Sequence, residues 1–366
     1  MPVQAGSTER LSTLDRFLPV WIGLAMLLGL GGGKLLPDLD DWLDAVRIGS
    51  VSAPIAVGLL AMMYPVLAKV RYRSIGAQFA DRRTLWLSLS MNWLVGPALM
   101  FTLAWVFLRD LPELRTGLII VGLARCIAMV LIWNDLARGS RELGAVLVAV
   151  NSLFQIVMYS LLGWFYLTAL PRWLGLGTAD LDVRMGEVAG SVLVFLGIPL
   201  LAGFATRAVG EARKGVQWYE ERFLPRVGPV ALIGLLFTIV VLFALQGERI
   251  TEHPLDVARV ALPLLAYFVV MWFGAFAAGL ALGLPYDRNV SVAFTAAGNN
   301  FELAIAVAIG VFGASSGQAL AGTIGPLIEV PVLVGLVYVA LWLRGRWYTG
   351  DGSPVRRAGR TREVGA

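Results

Sequence analysis

Long apolar runs, each ended by a short polar stretch, dominate this chain, and their length is the first thing the sequence shows. The runs fall roughly at 17–34, 48–68, 84–108, 116–133, 143–169, 188–206, 227–246, 257–282, 290–312 and 317–343. A helix of some eighteen residues rises about 27 Å, enough to cross the hydrocarbon of a bilayer. Hydrocarbon supplies no hydrogen bonds to bare backbone, so helix is the form such runs take. The pattern predicts an all-α polytopic membrane protein with ten transmembrane helices. The first run is long, lacks a small-residue cleavage site and leads through Gly31-Gly32-Gly33 into an acidic loop. It therefore reads as a retained span and not as a cleaved leader.

Composition agrees and narrows the class. Of 366 residues, 58% are hydrophobic and 15% charged, against about 25% charged in soluble domains. One cysteine excludes an intrachain disulfide and a paired-cysteine metal site, and the single His253 lies in a short polar segment. The net charge of +5 is a topology signal and not a nucleic-acid footprint, because the basic residues lie in loops. One side collects Lys69, Arg82, Arg83, Arg138, Arg141, Arg207, Arg213, Lys214, Arg288 and a basic tail over 344–366. The other has few, among them Lys34, Arg47, Arg109, Arg172, Arg184 and Arg249. That asymmetry places both termini in the cytoplasm and supports an even number of spans.

A faint internal repeat divides the chain. Gly122-Leu-Ala-Arg-Cys-Ile-Ala-Met aligns with Gly298-Asn-Asn-Phe-Glu-Leu-Ala-Ile, and Leu153-Phe-Gln-Ile with Leu327-Ile-Glu-Val. The fourth run thus pairs with the ninth and the fifth with the tenth. Five spans per half is an odd number, so the halves, 1–169 and 188–343, insert with opposite orientation. Inverted repeats are a transporter signature, with sites near the midplane at interrupted helices. Gly298-Asn299-Asn300 is such an interruption, since glycine and asparagine tolerate non-helical backbone.

Three charges lie deep in spans: Arg125, Glu302 and Glu329. Each costs about 2.5–3.5 kcal/mol or more to insert, which marks it for a task. Asn151, Ser152, Gln155, Asn299 and Asn300 accompany them, with Asn92 of the third span a further candidate. Cys126 follows Arg125, and a neighbouring cation favours thiolate. The plainer alternatives are a small buried apolar side chain for Cys126, a counter-ion for Arg125 and an ion-pair partner of Arg125 for Glu302. For Glu329 the alternative is a structural hydrogen bond. A carboxyl in a poorly hydrated cavity is otherwise suited to load and unload a proton, with Glu302 first and Glu329 second. Pro54, Pro65 and Pro97 read as kinks. No cofactor is expected: Gly31-Gly32-Gly33 lacks the strand and Lys-Ser/Thr of a phosphate loop. No nucleophile, base and orienting group come together as in an enzyme. A gradient or a partner subunit would have to drive transport.

The stretch from Gly122 through Gly139, with Gly298-Asn-Asn-Phe-Glu-Leu-Ala-Ile and Gly325-Pro-Leu-Ile-Glu-Val-Pro, resembles the arsenite efflux permeases of the bile-acid/arsenite/riboflavin transporter superfamily. The resemblance implies ten spans in two inverted halves, discontinuous crossed helices four and nine, and core and panel domains that interleave helices of both repeats. It implies export of arsenite, and for some members antimonite, across the cell membrane in exchange for protons. The family's essential cysteine falls on Cys126 and its essential glutamate on Glu302. Asn151, Gln155, Asn299, Asn300 and Arg125 would complete the substrate site. Arsenite at neutral pH is an uncharged trihydroxide, and one thiolate permits capture with release. A sodium-coupled importer of an organic anion is the alternative, because oxygen ligands at the ninth-helix break suit a hard cation.

Overall fold

The computed structural model describes residues 17–36, 38–48, 51–70, 81–127, 129–176 and 185–355. Arg184 and most of the basic tail lie outside the described residues. The elements are α1 (Leu18–Leu35), α2 (Leu39–Asp44), a strand pair β1 (Arg47–Ile48) and β2 (Val51–Ser52), and α3 (Ala53–Ala68). Then come α4 (Arg82–Phe107), α5 (Pro112–Leu123), α6 (Met129–Leu136), α7 (Arg141–Trp173), α8 (185–214) and α9 (216–252). The chain continues with α10 (Pro254–Ala281), α11 (Tyr286–Ala297), α12 (Phe301–Phe312) and α13 (Gly317–Trp347). Six helices among the described residues are long and apolar enough to cross a membrane: α4, α7, α8, α9, α10 and α13. The chain is a multi-pass membrane protein. Among the described residues, the only strands are the two-residue antiparallel pair of β1 and β2 ahead of α3.

Among the described residues, four long helices contain a π-helical turn, at Met91–Val95, Phe165–Ala169, Leu193–Gly197 and Tyr219–Phe223. Each turn ends two residues before a proline: Pro97, Pro171, Pro199 and Pro225. Proline has no N–H to donate and its ring crowds the carbonyl four residues back, so widening the preceding turn accommodates it without ending the helix. Pro54 lies in the first turn of α3 and is a helix starter instead of a kink.

The apolar pattern places the membrane-length part of each helix better than its ends. The connection at 207–226, expected as a basic loop, is helical apart from Gly215, whose φ of 86° turns the chain between α8 and α9. Lys, Arg and Glu are good helix formers, so charge ends the apolar run without ending the helix. Arg207 is accordingly buried and not a loop cation. Its guanidinium meets Glu211 at 2.7 Å and Glu220 at 2.8 Å, and donates to the Lys69 carbonyl at 3.1 Å, closing the end of α3.

Packing falls into two sets. α9 lies along α1 and α3, with α8 against α3; α10 packs on α4, α11 and α13, while α13 packs on α5 and α12. α8 touches α7 and α12 and joins the sets. Close backbone approach in the first set depends on glycine, since dispersion replaces the hydrophobic effect between helices in lipid. Gly33, in the triple-glycine run, abuts the backbone of Ala244, and a Cβ on Gly234 would meet Gly58 O and Met62 N at 2.9 Å. We expect Gly33→Ala and Gly234→Ala each to destabilise the protein by about 1–3 kcal/mol through overpacking. A lowered unfolding temperature of the detergent-purified variants measures this.

Candidate functional site

Two helices stop at the same place. α5 ends at Leu123, α6 starts at Met129, α11 ends at Ala297 and α12 starts at Phe301. The interruptions lie against each other as a single antiparallel bridge between Arg125 and Asn299. Cys126 N–H donates to Gly298 O at 3.2 Å, and Asn300 N–H to Ala124 O at 3.0 Å. Breaking a helix inside a bilayer orphans backbone groups that hydrocarbon cannot satisfy. Here each break satisfies the other.

These bonds are symmetric about the Arg125–Asn299 pair, so they equate Ala124 with Gly298 and Cys126 with Asn300. The sequence alignment set Cys126 against Glu302, two residues further on. It was drawn to superpose Gly122 on Gly298, whereas hydrogen bonding, not residue type, sets the register. Function of position agrees: Cys126 Sγ accepts from Val130 N–H at 3.3 Å, and Asn300 Oδ1 from Leu303 N–H at 3.0 Å. Each residue thus satisfies an orphan donor at the start of its second half-helix. The companion alignment of Gln155 with Glu329 keeps its register. Gln155 Oε1 accepts from Arg125 N–H, and Glu329 Oε1 from Asn299 N–H at 3.4 Å, each 30 residues from its donor.

Arg125 is completely buried. Its Nη1 donates to Tyr267 Oη at 2.7 Å and its Nη2 to the Gly122 carbonyl, while Nε has no partner. The cation therefore sits on the negative end of α5 and on a phenol, not on a carboxylate. The ion pair with Glu302 considered from sequence is not formed. Room for the guanidinium comes from Gly96 on α4, where a Cβ would stand 2.7 Å from Nη1. Sequence reading missed both Tyr267 and Gly96. Tyrosine usually anchors span ends, so its place in the middle of the eighth run was the signal available for the first. Gly96 sits beside Pro97 and gave no distinct signal.

Cys126 is 3% exposed and lies against the other break, since a Cβ on Gly298 would stand 3.0 Å from Cys126 Cβ and 3.6 Å from its sulfur. Glu302, in the first turn of α12, is partly exposed and lines a cavity of about 210 Å³. Met62 and Val66 of α3, Lys69 just beyond its end, Ile127, Met129 of α6, Val148 of α7 and Leu232 of α9 form much of its wall. The cavity runs between the two packing sets, and Glu302 and Lys69 are its charged residues. The sulfur itself lies one residue behind this wall, adjacent to Ile127.

The polar cluster divides in two. Asn151 does not join the crossover bonds: its Oδ1 accepts from Trp93 Nε1 at 3.2 Å and its Nδ2 donates to Asn92 Oδ1 at 3.4 Å. Asn92 in turn holds the Ser88 carbonyl at 2.8 Å, beside the π turn of α4. Ser152 donates to Val148 O within α7. Gln155, Asn299, Asn300 and Glu329 do gather at the bridge. Gln155 Nε2, Asn299 Oδ1 and Nδ2, Asn300 Nδ2 and Glu329 Oε2 are all buried without a protein partner. Buried polar groups are nearly always paired, and a concentration of unpaired ones at one point suits a small polar guest. No group of three or more metal-ligating side chains occurs among the described residues.

The architecture is that of a membrane carrier: interrupted helices meeting inside the bilayer beside a polar-tipped cavity. A family model for the Sodium Bile acid symporter family matches residues 56–253. The chain is 58% identical to the Arsenical-resistance protein Acr3 of Corynebacterium glutamicum, over 93% of this chain and 92% of that protein. It is 36% identical to the Uncharacterized transporter slr0944 of Synechocystis sp., covering 92% and 90% of the two. The Arsenical-resistance protein Acr3 of Alkaliphilus metalliredigens is 32% identical over 89% of this chain and 92% of its own. The chain belongs to the sodium bile acid symporter family, a family of carriers and not of enzymes. The family match ends before α11, and the relatives extend it across the break between α11 and α12.

Replacing Tyr267 by Phe strands the Arg125 Nη1 donor. We expect a loss of about 1–3 kcal/mol, read as a lower unfolding temperature, with Tyr267→Ala costing more because the ring's packing also goes.

Proposed function

We propose that this protein exports arsenite from the cytoplasm in exchange for protons, by alternating access, with antimonite as an alternative cargo. The observation that carries the reading is the 58% identity, across nearly the whole chain, to an arsenical-resistance protein. In this reading α5–α6 and α11–α12 are the fourth and ninth of ten spans, arranged as two inverted five-helix repeats over 1–169 and 188–343. The first packing set is the panel domain and the second the core. Both termini and the basic tail over 344–366 face the cytoplasm, and the protein resides in the cell membrane. The equal lengths of α5 and α11, 12 residues each, and the symmetric bridge support the inversion.

Arsenite enters the cavity bounded by Glu302 as an uncharged trihydroxide. The Cys126 sulfur displaces one hydroxyl, and the released hydroxide takes up the thiol proton as water. A single arsenic–sulfur bond allows release on the far side. The unpartnered atoms Gln155 Nε2, Asn299 Nδ2, Asn300 Nδ2 and Asn299 Oδ1 supply donors and an acceptor for the remaining hydroxyls. Arg125 holds the fourth break in shape and lends positive charge beside the sulfur. Asn151, tied to Asn92 and Trp93, acts one layer away by bracing α7 against α4. Glu302, exposed to the cavity, carries the coupled proton, and Glu329 assists from its closed position.

An arsenite-sensitive bacterium expressing the protein should accumulate less arsenic. Cys126→Ser at equal abundance should raise cell arsenic to the vector level, and continued export would reject the thiol role. In everted membrane vesicles, Glu302→Gln should abolish arsenite uptake driven by an imposed proton gradient. The family description and the oxygen atoms Asn299 Oδ1 and Glu329 Oε2 favour sodium coupling as the second reading. Uptake that follows an imposed sodium gradient, and not a proton gradient, would establish it.

A further inference from the structure

Gln155 and Glu329 do the same work on opposite sides of the crossover. Each is fully buried, and each accepts the backbone N–H of the residue at the centre of one break, Arg125 or Asn299. Those two residues are bridged to each other, so the two acceptors are related by the symmetry that relates the breaks. Each also keeps one buried polar atom without a partner, Gln155 Nε2 and Glu329 Oε2. Their chemistry differs in one respect. An amide is neutral at every pH, whereas a carboxyl can gain a proton. A hydrogen bond to an ionised acceptor is roughly twice as strong as one to a neutral acceptor.

We infer that Gln155 and Glu329 are matched positioning residues, each fastening one helix break, and that a proton loosens only the Glu329 fastening. The fourth break is held permanently by an amide; the ninth is held by a carboxylate that becomes a weaker acceptor when neutral. Protonation adds a hydrogen at the unpartnered Oε2 and removes the charge that strengthens the bond from Asn299 N–H. Asn299 lies between the two rungs of the bridge, Cys126 N–H to Gly298 O and Asn300 N–H to Ala124 O. Slackening it frees both rungs and uncovers the sulfur. This deepens the transport reading by giving the assisting carboxyl, Glu329, a mechanical part in it, but the fastening itself requires no particular cargo.

The charged and titratable groups around Glu329 leave it this role. Glu302 on α12 is close enough for the two carboxyls to interact electrostatically. From the fourth break comes Arg125, already engaged by Gly122 and by Tyr267 of α10. Cys126 stands at the bridge, its sulfur accepting from Val130. Farther away, Glu113 of α5 accepts the Gly317 N–H at the start of α13, and Asp135 of α6 pairs with Arg141 at 3.0 Å. Arg259 of α10 is paired with Asp110, Arg288 of α11 with Asp81, and Lys34 lies in the last turn of α1.

Cys126 is the single cysteine, so maleimide labelling in membrane vesicles reads the opening directly and without arsenite. Glu329→Gln places at the ninth break the same acceptor that the fourth already has. Wild type and Glu329→Gln, both with a neutral acceptor, should label at similar rates in mild acid. In mild alkali Glu329→Gln should label about five- to tenfold faster than the wild type, the ratio cancelling the thiol's own response to pH. Glu329→Ala, with no acceptor, should label fast at both. Gln155→Glu should steepen the response by making the fourth break releasable too. The inference is overturned if Glu329→Gln keeps the wild-type pH dependence, or if Glu329→Ala labels no faster than wild type. If Glu329→Ala fails to insert, the near-isosteric Glu329→Gln decides alone. Absence of arsenite flux would count against the export reading and leave the labelling ratio interpretable, so the two can fail separately.

Discussion

Two helix breaks at one depth in a bilayer must satisfy each other's backbone, and that constraint organises this molecule. Separately, the residues 124–127 and 298–300 would leave carbonyls and N–H groups bare in hydrocarbon, at several kcal/mol each. Placed antiparallel, they exchange two backbone bonds around Arg125 and Asn299. Gln155 and Glu329 take the central N–H groups, and Cys126 and Asn300 take donors at the half-helix starts. The result is a compact polar node in which very little is held by ion pairing. Even Arg125, the one buried cation of the node, donates to a carbonyl and a phenol and not to a carboxylate.

The surrounding helices pack around the node, and a cavity lies beside it at Ile127 and Glu302. In α4, proline and the π turn before it place Asn92, Trp93 and Gly96 on the side that faces α7 and the guanidinium. The set formed by α1, α3, α8 and α9 is drawn together through glycine contacts and by the Arg207 cluster at the end of α3. Between the two sets lies an apolar cavity tipped by Glu302. A cavity of this kind beside interrupted helices is in keeping with the carrier family to which the chain belongs.

Much of this was legible beforehand, and particular residues show why. Arg125, Glu302 and Glu329 were conspicuous because charge in an apolar run is expensive, and the cost is independent of partners. The break at Gly298-Asn299-Asn300 could be seen because those residue types tolerate non-helical backbone. The break after Leu123 could not be fixed so well: Ala124, Arg125 and Cys126 have no comparable local preference, and the interruption there is stabilised by bonds from the other half of the chain. Tyr267 and Gly96 were missed for the same reason, since each matters only through a guanidinium contributed by a distant helix. The repeat pairing groups Asn151 with Gln155, Asn299 and Asn300; one helical turn from Gln155 is enough to give it different partners.

Taken alone, the sequence determined that this is a multi-pass helical membrane protein, where its apolar stretches lie and which buried charges need explaining, because transfer into lipid depends on residue type and run length. Tertiary structure decided the register at the crossover, equating Cys126 with Asn300 and not with Glu302. It also decided that Arg125 leans on Tyr267 instead of on an acid, and that the helices at 207–226 outlast their apolar runs. Each of those outcomes rests on hydrogen bonds between groups far apart in the chain, and a sequence lists such groups without saying which of them will meet.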